Sequence, residues 1–419
     1  MKILYICADF GIPVLGTKGA SVHVREMISA LNRAGHSVVL AAPKLQKVLW
    51  EKPEDIAGRL LHLPPAPVSR ETMKCLMEFE EMLGEPSPLP GQIRRMLYNK
   101  EMSHQLLRHF TAHPPDFIYE RAALFSTVGV MVAEALGKPL ILELNAPLAK
   151  EQSLYRGTSL GALATKTEQF VLSRSEVVLT VSALLKNYAV SAGAKPAAVH
   201  VSPNGVNIQN FQIKTETKET KAAWGLGPGP IIGFVGGLRP WHGVMVLPEL
   251  AEKLHQNHPK IKIVIVGEGP LRSRLQDEFE ARGLSANVVF TGAVSHEKVA
   301  ALIPTFDIAV TPYEKLDHDF YFSPLKLFEY MACGVAVVAA KAGQIGEIIT
   351  QGRTGLLYAP GETKTFIAQC ERLLSDPHLR KEMGQAAAKE VRSNYSWDHN
   401  ASRVFSIFKT LKKEEERSS

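Results

Sequence analysis

The chain has 419 residues, 45% apolar and 21% charged, which describes a globular protein of about two ordinary domains and excludes a disordered or fibrous chain. Its net charge of +6 is mild, and no basic stripe interleaved with aromatic residues appears, which argues against a nucleic-acid binder. The four cysteines, Cys7, Cys75, Cys333 and Cys370, form no CxxC pair, so neither a zinc site nor a disulfide framework is expected and a reducing cytoplasm fits.

"KILYICADF" reads as a first buried strand, because Asp9 interrupts the apolar run and no small-residue cleavage site of a signal peptide follows. The loop "GIPVLGTKGAS", the amphipathic helix "VHVREMISALNRAG" and the strand "HSVVLAAP" complete a βαβ unit. Gly19 in that loop allows close backbone approach to a ligand, with Ser21 and His23 beside it, although a plain tight turn reads the same way. Residues 50–113, rich in Met, Glu and Arg and broken by "LPPAP" and "EPSPLPG", read as a helical insertion. Arg94, Arg95, Lys100 and Arg108 there are either a solvated helix face or a surface for anionic lipid or a phosphorylated acceptor.

Alternation resumes with "DFIYER", "STVGVMVAEALG", "KPLILELN", a helix near 161–174, "EVVLTVS", "ALLKNYAVSAG" and "VHVSPNGV". A polar stretch, 206–221, reads as a linker. The second set then runs "IIGFVGG", a helix 244–257, "IKIVIVGEGP", a helix 270–283, "NVVFTG", "HEKVAALIPT", "DIAVTPY", a helix from Ser323, and "VAVVAA". Apolar strands alternating with helices predict two doubly wound α/β domains, 1–205 and 222–395, with ligands at the carboxyl ends of parallel strands. "NYSWDHNASRVFSIFKTL" reads as an amphipathic helix over about 396–414. No apolar stretch reaches the ~20 residues that cross a bilayer.

The stretch "FYFSPLKLFEYMACG", 320–334, carries the sharpest signal. Ser323 fits an N-cap and Pro324 the first helical position, but Lys326 stands where a capping box wants Glu or Gln. A lysine deepens the positive end of a helix, which suits an anion, commonly a phosphate. Glu329 lies about 7.5 Å further along the axis, roughly the reach from a diphosphate to the hydroxyls of its ribose. A Lys–Glu pair on a solvated face is the bland alternative, and the apolar flanks fit it poorly. Asp317 and Asp319 in "LDHDF" read as loop residues.

"SPLKLFEYMACGVAVVAA" resembles the donor-binding helix of GT-B glycosyltransferases, in particular glycosyltransferase family 4. "GTKGASVHVREM", "ELNAPL", "VSPNGVN", "GGLRPWHG", "VGEGP", "FTGAV" and "QGRTGLLYAP" extend the resemblance along nearly the whole chain, in order. It implies two Rossmann-like domains facing a cleft, with the final helix packing back on the first. It also implies retaining, metal-independent transfer from a UDP- or GDP-sugar, a co-substrate rather than a cofactor, to a saccharide, lipid-linked or small-molecule acceptor. Peripheral contact with the inner leaflet of the cytoplasmic membrane goes with a lipid-linked acceptor.

By the same resemblance, Arg239, Lys326 and the backbone N–H groups near Ser323 to Leu325, a stretch that includes Pro324, hold the diphosphate, Glu329 the ribose, and the segment around Val294 the base. Gly19, Gly236, Gly237, His242 and Glu268 complete the donor side, while Ser21, His23, Glu120, Arg121 and Asn145 form the acceptor side. Glu143 and Asn145 join Lys326 and Arg239 as the catalytic candidates, and Glu120 is the other carboxylate available for acceptor contact or deprotonation. The chain departs from the family in having Tyr321 where a glutamate is usual, Gly237 and His242 where an Arg and a Lys are usual, and Asn145 where many relatives have a histidine. Tyr321 keeps a nucleotide-sugar-binding protein with weak or lost activity as an alternative. A sugar-nucleotide epimerase of the same architecture is the other, though no acid–base set for C2 is apparent.

Overall fold

The structure is a computed structural model and describes residues 1–46, 53–214 and 217–418. Residues 50–52 of the expected insertion and 215–216 of the expected linker lie outside the described residues. The chain divides into two compact units, Met1–Pro203 with Ala401–Ser419, and Asn204–Asn400.

The first unit is built on seven parallel strands. They are β1 (Lys2–Ile6), β2 (Ser37–Ala42), β3 (Arg59–His62), β4 (Phe117–Arg121), β5 (Leu140–Leu144), β6 (Val177–Thr180) and β7 (Val199–Val201), in the spatial order 3-2-1-4-5-6-7. All five residues of β4 and of β5 are buried, as expected of strands covered on both faces. The order reverses between β1 and β4, and ligands of such sheets bind outside the carboxyl ends at that reversal.

Helix α1 (Gly19–Arg33) follows β1 and starts at Gly19, three residues earlier than the hydrophobic pattern alone suggests. Arg25 of α1 ties down the preceding loop by donating to the carbonyls of Val14, at 2.9 Å, and Gly16, at 2.6 Å. The segment expected to be a helical insertion contains α2 (Pro67–Leu83) and α3 (Leu89–Phe110), but also β3. The strand was missed because "RLLH" is short and lies on the sheet edge with every residue partly or fully exposed. Helix α4 (Val128–Leu136) then packs over β4 and β5, closed by Gly137 in the left-handed conformation (φ +60°).

The second unit has six parallel strands: β8 (Ile231–Val235), β9 (Lys262–Val266), β10 (Val288–Gly292), β11 (Ile308–Thr311), β12 (Ala336–Ala340) and β13 (Leu356–Tyr358). Their order is 10-9-8-11-12-13, so the reversal falls between β8 and β11. Helix α5 (Leu325–Ala332) follows β11 and packs against α6 (Pro377–Asn394). The last helix, α7 (Trp397–Ser418), contributes its residues from Ala401 on to the first unit, where Phe405 meets His36 and Phe408 meets Phe117. Among the described residues no helix is long and apolar enough to cross a membrane.

The α5–α6 contact depends on a missing side chain. A Cβ on Gly384 of α6 would sit 1.9 Å from the carbonyl oxygen of Gly334, just past the end of α5. Gly384→Ala therefore has to push α6 off the backbone, and overpacking of this kind costs about 1–3 kcal/mol. Urea unfolding of the full chain is expected to show that loss; an unchanged midpoint would mean that α6 yields freely.

Candidate active site

In the second unit the ends of β8 and β11 converge on Lys326. This lysine is 8% exposed, and among the described residues its ammonium has no hydrogen-bond partner. Aromatic faces surround it instead. Nζ lies 4.2 Å from the ring centre of Phe234, in β8, and 5.5 Å from that of Tyr313, just beyond β11. Gly236, directly after β8 and at φ +144°, leaves room for it: a Cβ there would be 2.5 Å from Nζ. Burial pulls the Lys326 pKa down to about 7, against the attraction of Glu329. A desolvated cation without a partner is costly, and an anion arriving beside it removes that cost.

The helix carrying Lys326 differs from expectation at its start. It begins at Leu325, with Pro324 in the capping position and no side chain capping the first turn. Ser323 is turned elsewhere: its Oγ accepts the Asn204 N–H at 3.0 Å and its carbonyl accepts the Asn204 side-chain amide. No serine caps the first turn, in which the Leu327 N–H donates to the Pro324 carbonyl at 3.1 Å, and a helix start of this kind suits an anion. Asn204, from "VSPNGVN", fixes this corner across 119 positions of sequence, a role that nothing local in the chain advertises.

Three residues past Lys326, Glu329 is 6% exposed and accepts from His296 Nε2 at 2.8 Å. His296 lies 5.0 Å, ring to ring, from Phe211. Sequence reasoning missed it, because "HEKVAALIPT" reads as an ordinary helix start. His242 is neutral, its pKa pulled to about 3 by burial and by Lys326, and its Nδ1–H donates to the Gly237 carbonyl. It therefore supplies no charge at a position where the family resemblance leads one to expect a lysine.

Arg239 is exposed, with its guanidinium 5.9 Å from the Trp241 ring centre. Glu268 pairs with Arg272 at 2.7 Å, and Val294 is half-buried against the core. Tyr321 is buried against Phe322 and His318. Asp317 and Asp319 lie in the irregular segment before α5.

In the first unit a second group gathers on Glu143. Strands β4 and β5 pair Arg121 with Glu143, so both side chains leave the same face at the carboxyl ends. Arg121 Nη1 lies 2.6 Å from one carboxylate oxygen, His23 Nε2 2.9 Å from the other, and Tyr119 and Asn145 also donate to the group. Glu143 is 4% exposed, so although it lies near a strand end it does not face solvent. Burial pushes its pKa up, but His23, Arg121 and Tyr119 outweigh that and hold it well below the usual carboxylate range. An ionised carboxylate occupied by four donors is a poor proton acceptor. It fixes the positions of His23, Arg121 and Asn145.

Glu120 departs further from expectation as an acceptor contact. Alternation puts it on the opposite face from Glu143, fully buried, accepting from Ser126 Oγ at 2.8 Å and from the Gly129 N–H at 3.1 Å. Burial raises its pKa to about 7. Ser21 is also fully buried, and its hydroxyl has no hydrogen-bond partner among the described residues. Gly19 is the exposed first residue of α1.

Residues 17–210 match the family model described as Glycosyltransferase Family 4, and residues 216–390 match the one described as Glycosyl transferases group 1. Each unit thus matches a family model of glycosyltransferases. The chain is 23% identical to a glycogen synthase of Mycobacterium tuberculosis over 99% of its own length and 96% of that protein. Among solved structures it resembles a sucrose-phosphate synthase of Thermosynechococcus elongatus, with a TM-score of 0.76 at 18% identity over 99% of each chain. It also resembles HepE of Anabaena in complex with UDP, with a TM-score of 0.71 at 19% identity over 98% of this chain and all of that one. These likenesses establish the GT-B fold.

Two measurements test the charges just described. Between pH 7 and 10.5 the unfolded chain holds a proton that folded Lys326 has released, so Lys326 makes stability rise with pH there and leaves its full burial cost below pH 7. Lys326→Met is expected to stabilise the ligand-free protein by about 1–3 kcal/mol at pH 6. The variant should also lose the stabilisation that pyrophosphate gives the parent; a less stable variant at pH 6 would refute this account of Lys326. Glu143 acts in the opposite sense, because its pKa is depressed from 4.5: its contribution is complete above that value and is lost as acid is added. Glu143→Gln should cost about 3–5 kcal/mol at neutral pH, since it leaves buried Arg121 uncompensated. It should also flatten the loss of stability below pH 4.5 in an acid titration followed by circular dichroism.

Proposed function

We propose that the protein is a retaining, metal-independent glycosyltransferase that moves a sugar from a UDP- or GDP-sugar to a saccharide or lipid-linked acceptor. The observation that carries this reading is the buried, unpartnered Lys326 at the strand-order reversal of the second sheet, next to an uncapped helix start and three residues before a buried glutamate. The leaving group of such a reaction is a nucleoside diphosphate, and positive groups placed at its developing charge are where electrostatic catalysis acts. HepE, of the same fold, was solved with UDP and with UDP-glucose, which supports a nucleotide-sugar as donor.

In this reading Lys326, the N–H groups at the start of α5 and Arg239 bind the diphosphate. Glu329 exchanges its bond from His296 for the hydroxyls of the ribose. The bond from the anomeric carbon to the diphosphate oxygen breaks and a bond to the acceptor oxygen forms on the same face. The acceptor's proton goes to the departing phosphate oxygen, so no protein base is required, which agrees with the low proton affinity of Glu143. His23, Arg121 and Asn145, held by that carboxylate, contact the reacting sugars.

The test is nucleotide release by the purified protein from UDP-, GDP-, ADP- and dTDP-sugars, with and without EDTA. Slow release from one donor, unaffected by EDTA, is expected. Donors that bind without being cleaved would favour a binding protein, and neither binding nor release would refute the reading. For the cleaved donor, Glu329→Ala should weaken binding about tenfold or more, as loss of hydrogen bonds to a charged group does; unchanged affinity would remove the ribose assignment.

A further inference from the structure

A cavity in the first unit is lined by none of the residues gathered on Glu143. Its volume is about 510 Å³, within the range of small-molecule sites. Phe10 follows β1, Lys44 follows β2 and Pro65 follows β3, so the cavity opens at the carboxyl ends of three parallel strands, where such sheets bind ligands. Helix α2 contributes Arg70, Met73 and Met77, and α3 contributes Arg94.

The lining joins two chemistries. Phe10, Met73 and Met77 are apolar, with Met77 61% exposed at the rim. Lys44, Arg70, Lys74 and Arg94 are cationic against Glu78 and Glu81, and one of those glutamates is already taken by Lys74, at 3.6 Å. Arg94 carries an unmet buried donor. Its Nε is buried without a hydrogen-bond partner among the described residues, and its guanidinium lies over the Phe10 ring, 4.4 Å from the centre. A stacked guanidinium facing an apolar wall suits an anionic head joined to an apolar tail.

We propose that this cavity binds a single phosphate-bearing amphiphile, the anchor of the sugar acceptor, with its phosphate on Arg94 and Arg70 and its chain along Met73 and Met77. The acceptor role rests on the transferase reading. The occupant is one molecule rather than the plane of a bilayer: α2 carries four acidic residues (Glu71, Glu78, Glu80, Glu81) against two basic ones (Arg70, Lys74), the wrong balance for lying on an anionic surface.

The experiment is calorimetric titration of the full chain with decyl phosphate below its micelle concentration, with inorganic phosphate and decyl maltoside as the single-feature probes. Saturable one-site binding of decyl phosphate is expected, at least tenfold tighter than either control. Arg94→Gln should weaken it about tenfold, as loss of a charged hydrogen-bond partner does. Met77→Asp, at an exposed position that leaves the core intact, should weaken it through the tail.

The proposal is overturned if decyl phosphate does not saturate, if inorganic phosphate binds equally well, if binding requires vesicles of phosphatidic acid, or if neither variant matters. Nucleotide release measured on the same samples separates the two readings. Release without amphiphile binding removes this site alone, whereas amphiphile binding without release from any donor keeps the site and removes the transferase.

Discussion

The desolvation of one lysine organises the second unit. Lys326 keeps its position because Gly236 has no side chain, because Phe234 and Tyr313 offer ring faces instead of acceptors, and because α6 presses α5 against the sheet. None of these contacts neutralises the charge. The folded protein therefore holds an unfavourable group whose cost a phosphate relieves, and burial has lowered its pKa far enough that the ammonium and the amine are both accessible near neutrality. His242 shows the other outcome of the same field: next to Lys326 and out of water, it stays neutral and turns its proton to a backbone carbonyl.

The first unit solves the opposite problem. Glu143 is as deeply buried as Lys326 but is surrounded by donors, so its charge is stabilised instead of stranded. Glu120, on the neighbouring strand and only one residue from Arg121, has a hydroxyl and a single N–H for partners, and its pKa rises. Two carboxylates on adjacent strands are thus driven apart in proton affinity by the face of the sheet each one meets.

That distinction was not legible in the sequence. "DFIYER" and "LILELN" show that acids lie near strand ends, but only the register, Arg121 beside Glu143, fixes which acid shares a face with His23. Runs such as "KILYI", "LILEL" and "AVVAA" revealed the parallel sheets because strands covered on both faces must be apolar throughout. The edge strand β3 escaped for the converse reason. In the site, the spacing of Lys326 and Glu329 was readable because a helix has a fixed rise. The partnerships of Glu329 with His296 and of Ser323 with Asn204 join segments 33 and 119 positions apart, and no local pattern encodes them.

The division of the chain also has a bearing on how it is made. The first unit takes residues 1–203 and then waits for residues 401 onward, whose Phe405 and Phe408 cover His36 and Phe117. The intervening 204–400 must be translated first, about 10–40 s at ordinary elongation rates. Throughout that interval Phe117, at the start of a central strand, lacks the cover that Phe408 gives it in the folded unit. The second unit is complete at Asn400, so the half of the chain that is synthesised first is the one whose last helix arrives last.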